Sequence, residues 1–158
     1  MKKVFLSIIT LFFVSASVLA DDSKEALDFF NSYVNAANTY STTVADMYSP
    51  SAKIIRQVVK PDGTTVDVAT DTATYIKQMK IGQAGAKLRH YKNDYSSVIV
   101  TPLKNDEYKV SSLRQPSGEN YKLKTYMIVK KQPSGKWLII EEMMQTKVQT
   151  FLKYANKN

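Results

Sequence analysis

Apolar residues recur at Leu27, Phe30, Val34 and Ala37, three and four apart, which predicts one amphipathic helix from about 23 to 40. Asp22 and Glu25 ahead of that stripe have the spacing of an N-terminal capping box. Thr42 or Thr43 suits the cap of a second, shorter helix carrying Val44, Met47 and Tyr48, which Pro50 closes. The pattern then changes period. Residues 52–59 and 65–69 are rich in Ile and Val and predict two strands. Asp71 is positioned to cap a third helix through about 80, with Tyr75, Ile76 and Met79 on its inner side, and the two glycines of Ile81 to Ala86 predict a loop. From Leu88 onward strands are predicted near 88–101, 107–115, 120–131 and 136–146. Val148, Phe151, Leu152 and Ala155 return to helical spacing and predict a short amphipathic helix over 148–155.

The separators share one device. Pro61-Asp62-Gly63, Pro116-Ser117-Gly118 and Pro133-Ser134-Gly135 each begin with a proline that presets the first turn position and end with a glycine free to take a left-handed backbone. Asn105-Asp106 marks a further turn. Such turns imply successive antiparallel hairpins.

The first twenty residues stand apart. Lys2 and Lys3 precede an apolar run from Val4 to Val18, and Val18 and Ala20 are the small residues a signal peptidase reads. The expectation is a cleaved signal peptide over 1–20, a single domain over 21–158, and a periplasmic or secreted bacterial protein without stable membrane insertion. The 158-residue chain is long enough for one domain with a core of its own. It contains no cysteine, which removes disulfides, thiolate metal sites and the lipoprotein route to an anchor. Its net charge of +8 falls to +6 without Lys2 and Lys3, and the surplus is thinly spread. That favours anionic partners over nucleic acid, for which no binding motif is present.

The order helix, helix, strand, strand, helix, four strands, with the junction Met47-Tyr48-Ser49-Pro50-Ser51-Ala52 and the closing strand Gly135-Lys136-Trp137-Leu138-Ile139, resembles the nuclear-transport-factor-2-like superfamily, including its SnoaL-like, cystatin-like cone members. The resemblance covers roughly Asp22 to Thr146. It implies an α+β fold, a curved antiparallel sheet wrapped around a long N-terminal helix, with a pocket at the open end of the cone. Enzymes of that superfamily use a carboxylate or a His–Asp pair inside the cone, sometimes with tyrosines as donors.

Candidates for such chemistry are few. His90, the single histidine, is expected at the start of the first long strand with Asp94 as its nearest acid, and an ordinary strand histidine needs no function. Asp46 lies on the second helix, where it could face the cone mouth or simply solvent. Glu141 and Glu142 interrupt an apolar strand; alternation puts Glu141 with Trp137 and Ile139, and Glu142 with Leu138 and Ile140. Whichever is buried needs a partner, and Glu141 is the candidate pocket carboxylate. One histidine and no carboxylate cluster at ligand spacing give no support to a metal or cofactor.

Ten tyrosines offer apolar area with a hydroxyl handle. Tyr33, Tyr48, Tyr95, Tyr108 and Trp137 are the expected pocket lining, with lysines at its mouth. Tyr126-Met127-Ile128-Val129 and Trp137-Leu138-Ile139-Ile140 are apolar on both faces, so both faces need a cover. The expectation is a homodimer through Tyr126, Ile128, Leu138, Ile140 and Met144, or else the C-terminal helix folded back over that face. The function best matched is a non-enzymatic binding or accessory protein for a small amphipathic, lipid-like or anionic ligand. The other readings are a protein–protein scaffold, and a small cyclase or isomerase using Asp46, His90 or Glu141.

Overall fold

The computed structural model describes the backbone over residues 14–155 and the side chains over residues 21–155. Most of the predicted signal peptide lies outside the described residues. The elements are α1 (Val14–Asn38), a 3-10 helix (Thr42–Met47), β1 (Tyr48–Val59), β2 (Thr65–Thr70), α2 (Thr72–Leu88), β3 (Asn93–Pro102), β4 (Glu107–Pro116), β5 (Leu123–Lys131), β6 (Trp137–Thr146) and a closing 3-10 helix (Gln149–Tyr154). The fold is α+β, in the predicted order. The six strands form one unclosed sheet in the order β2-β1-β6-β5-β4-β3. Four neighbouring pairs are antiparallel, and β1 with β6 is parallel, so the sheet is mixed where the sequence predicted an antiparallel one. Chain order explains this: β6 returns between β1 and β5 and meets the first strand running the same way.

α1 buries Ala26, Phe30 and Tyr33 against the concave face of the sheet, where Ile54, Tyr108, Val110, Met127, Val129 and Ile139 complete the core. Removing a side chain the size of Phe30 from water stabilises by about 1.5–3 kcal/mol. Asp22 lies inside α1 and caps nothing. Instead Lys131 reaches Asp22 at 3.0 Å and Glu25 at 2.8 Å, and the Trp137 indole donates to Glu25 at 3.0 Å, pinning α1 to the ends of β5 and β6.

The glycine turns form as the sequence predicts, with Gly63, Gly118 and Gly135 at φ of 84°, 81° and 81°. Asp71 caps α2 by accepting from the Thr74 amide at 2.8 Å. Three further expectations fail: Tyr48 and Pro50 belong to β1, so the short helix ends at Met47 and not at the proline. The cap of the 3-10 helix is Ser41, not Thr42 or Thr43. The predicted loop Ile81 to Ala86 is helical, and α2 continues to Leu88. Two glycines cost that helix about 1 kcal/mol each relative to alanine, which its packing through Tyr75, Ile76 and Met79 offsets. Strand β3 consequently starts five residues later than predicted.

Both long helices end in the same way. After α1 the Ser41 amide donates to the Ala36 carbonyl and the Tyr40 amide to Ala37; after α2 the Tyr91 amide donates to Ala86 and the His90 amide to Lys87. These are Schellman closures, in which the residue in the left-handed region is usually glycine. Here it is Tyr40, at φ 58°, and His90, at φ 51°.

Candidate functional site

A cavity of about 330 Å³ opens between α1, α2, β1, the start of β3, β4 and the end of β6. The closing 3-10 helix forms part of its wall through Phe151, so the C-terminal segment sits on the concave side and not over the outer sheet face. That volume is at the lower end of small-molecule sites, roughly 300–1,000 Å³.

Beneath the cavity lies a polar network built around Glu142, which is completely buried. Alternation from Trp137 would point this residue outward. It points inward because Ile140 is an extra residue: Val129 pairs with Ile139 and Ile128 with Glu141, leaving Ile140 with no partner on β5. Past this bulge the faces exchange. Glu142 and Met144 turn into the cone, and Glu141 turns out.

The Glu142 carboxylate is held on both oxygens. Arg56 Nη1 donates to Oε1 at 2.9 Å, the Tyr48 hydroxyl donates a short hydrogen bond to Oε2, and the Tyr33 hydroxyl approaches Oε2 at 3.4 Å. Tyr75 joins through Tyr48, their hydroxyls 3.5 Å apart, and the Arg56 guanidinium lies 4.7 Å from the centre of the Tyr75 ring. Burial and then the Glu142 charge push the Tyr33 and Tyr48 phenols well above their ordinary value. The Tyr75 phenol is raised for the same two reasons. Burial opposes the Arg56 charge, but Tyr75, Glu142 and Tyr48 outweigh it and hold the guanidinium above its usual value.

A second arginine, Arg114 on β4, is also buried and lines the cavity. Its Nη1 donates to Asn93 Oδ1 at 2.8 Å and its Nη2 to the Gln145 carbonyl at 2.9 Å. Asn93 is itself locked to Asn38 by two bonds of 2.9 Å, which tie β3 to the end of α1.

The predicted site residues divide. Tyr33 and Tyr95 line the cavity. Tyr48 lies one layer behind, on Glu142. Tyr108 and Trp137 pack edge to face, 5.6 Å between centroids, elsewhere in the core and do not line the cavity. Asp46 is exposed on the 3-10 helix, and His90 is exposed at the end of α2, not on a strand. Glu141 accepts from the Tyr126 hydroxyl at 2.6 Å and sits 3.8 Å from Lys53 on the outer face. These three acids and bases are not brought together. The cations at the cavity are Arg56 and Arg114; no lysine lines it among the described residues. Tyr126, Ile128, Leu138 and Ile140 are half-buried on the outer face, while Met144 lines the cavity because of the bulge.

Arg56 and Arg114 were not singled out by the sequence; Tyr75 was expected only as an inner-side residue of its helix, and Glu142 only as the alternative to Glu141. A signal existed for two of them: Arg56 alternates with Ala52, Ile54 and Val58, and Arg114 with Tyr108 and Val110, so each is a cation on an apolar face. Among the described residues there is no group of metal-ligating side chains, and no helix is long and apolar enough to cross a membrane.

No protein-family model and no curated protein matches the chain. Solved structures do. A domain of unknown function with a cystatin-like fold from Nostoc punctiforme matches with a TM-score of 0.56 and 15% identity, covering 84% of each chain. A protein of Novosphingobium aromaticivorans provisionally assigned as a scytalone dehydratase matches with a TM-score of 0.56 and 14% identity, over 81% of this chain and 84% of that one. An NTF-2-like protein of unknown function from Shewanella oneidensis matches with a TM-score of 0.56 and 11% identity, over 80% and 98%. At these identities the likeness is one of fold.

Proposed function

We propose that this chain, which has the nuclear-transport-factor-2-like cone fold, is an exported, non-enzymatic binding protein holding a small amphipathic ligand in the tyrosine-lined cavity. The observation that carries the reading is the position of Glu142. A general base must come within hydrogen-bond reach of the proton it removes. Glu142 is fully buried, both oxygens are engaged, and it does not line the cavity; Tyr33 and Arg56 line it instead. Its carboxylate therefore serves to orient the wall that a ligand meets. The lining combines aromatic and aliphatic area from Tyr33, Val44, Tyr75 and Met79 with a few fixed polar groups, the usual composition of a site that binds and orients.

Export rests on the basic, apolar and small-residue succession over residues 1–20. Pairing of two copies rests on the outer face, where Ile128 and Leu138 and their neighbours are half-buried with none of the described elements packed across them.

The test is native mass spectrometry of the protein purified gently from its own host. A dimer carrying a discrete extra mass is the expected result and gives the ligand's chemical class. A ligand-free species that also binds none of a panel of small amphipaths would refute the carrier reading.

A further inference from the structure

We infer that the cavity selects a ligand bearing one negative charge, a carboxylate headgroup on an apolar body, with Arg114 and Tyr40 as the residues that read it; the inference rests on the binding role proposed above. The buried cations at this site are unequally neutralised. Arg56 is paired with Glu142 at 2.9 Å. Arg114, 7% exposed, has no carboxylate within salt-bridge distance among the described residues. A guanidinium carries five N–H donors; one from each terminal nitrogen of Arg114 serves Asn93 and the Gln145 carbonyl, while its buried Nε has no partner among the described residues. A buried cation without an anion is costly, and no acidic side chain lines the cavity among the described residues. With Glu142 behind Arg56, the wall is left with a single surplus positive charge.

Tyr40 points the same way independently. Its hydroxyl is buried and has no partner among the described residues, and the residue belongs to the same cavity wall. Its backbone is left-handed at φ 58°, the helix-closing position where glycine normally stands, and strain of this kind concentrates at functional sites. The chain thus holds an aromatic residue in an unfavourable conformation, with a buried hydroxyl that no described residue uses. Two residues of one cavity wall, each with a buried idle donor and one of them charged, match an oxyanion. One surplus charge matches a carboxylate better than a phosphate dianion. The aromatic and aliphatic walls accept the body of the molecule.

Isothermal titration calorimetry of the purified protein with octanoate, octyl phosphate and 1-octanol separates the outcomes. Octanoate is expected to bind at least tenfold more tightly than either of the others. Arg114→Gln should remove that advantage, with a cooperative thermal unfolding transition showing that the variant is folded. Tyr40→Phe should weaken octanoate several-fold without lowering the thermal midpoint, since the buried idle hydroxyl is removed. Should Arg114→Gln not fold, Arg114→Lys keeps the charge without the fork and must still weaken octanoate several-fold. Equal binding of octanoate and octanol overturns the anion site and leaves the carrier reading standing. Tightest binding of octyl phosphate overturns the single-charge assignment. No binding by any probe overturns both.

Discussion

Arg56 and Glu142 sit on adjacent parallel strands and meet at 2.9 Å within the sheet wall, the carboxylate wholly buried and the guanidinium side chain 14% exposed. The pair fixes one side of the cavity, because Arg56 lines it while its partner stands behind. Breaking such a pair from one side leaves a buried charge uncompensated and costs about 3–5 kcal/mol. Glu142→Gln should therefore lower the thermal midpoint markedly. Glu142→Leu combined with Arg56→Met should recover much of that loss, as measured by thermal or urea unfolding. A double variant less stable than Glu142→Gln would show that the surrounding tyrosines, and not the charge pairing, carry the stability.

Tyr33, Tyr48 and Tyr75 all have phenols raised by burial and by the Glu142 charge. A group whose folded value lies above its ordinary value of about 10 contributes stability that is complete below that value and lost as pH climbs through the folded one. In an alkaline titration followed by ultraviolet difference absorbance, these three should stay neutral while exposed tyrosines ionise, then ionise together with unfolding. Smooth ionisation of every tyrosine in a still-folded protein would contradict the enclosed network.

At the ends of β5 and β6, the Lys131 hydrogen bond and then the Trp137 indole hold the Glu25 carboxyl below the usual carboxylate range. The sign is opposite to that of the tyrosines: this contribution is present above the ordinary carboxylate value and lost as pH falls through the lowered one. Trp137 is the only tryptophan, so its fluorescence reports the event directly. Acidification should change the emission in one step, and Glu25→Gln should abolish that step. An unchanged step in Glu25→Gln would assign the signal to global acid unfolding.

The proposed assembly of two copies through the outer face makes a prediction that the bulge sharpens. Ile128→Lys should yield a monomer by analytical ultracentrifugation, because it places a charge at the centre of the half-buried outer patch. Met144→Ala should leave assembly untouched, since Met144 lines the cavity. Dissociation by the second and not the first would place the interface on the concave side.

The sequence made the frame of this molecule legible because its punctuation is local. Glycine at φ of 81° to 84° in three turns and the Asp71 cap are decided by neighbouring residues alone. The floor of the cavity was not legible for a reason equally physical. Whether Glu141 or Glu142 faces inward depends on a bulge at Ile140 that exists only through the pairing of β6 with β5 and β1. The extent of α2 was hidden by Gly82 and Gly85, whose helical conformation is supported by packing of residues one and two turns earlier. Tyr33 and Tyr95 line the cavity, and a tyrosine near an open cone end needs no register to be suspected; Arg114 required knowing that its strand buries that face.

The bulge at Ile140 also governs how this chain should be compared with its relatives. Two adjacent glutamates mean that a residue-by-residue match slipped by one position would still find an acid opposite an acid, and would look correct. The role belongs to whichever residue stands second after the unpaired one. A related chain lacking the extra residue would turn the Glu141 equivalent inward and the Glu142 equivalent to solvent, with the same pair of letters in its sequence. Counting from the bulge, and not from the strand's first residue, is what transfers the site.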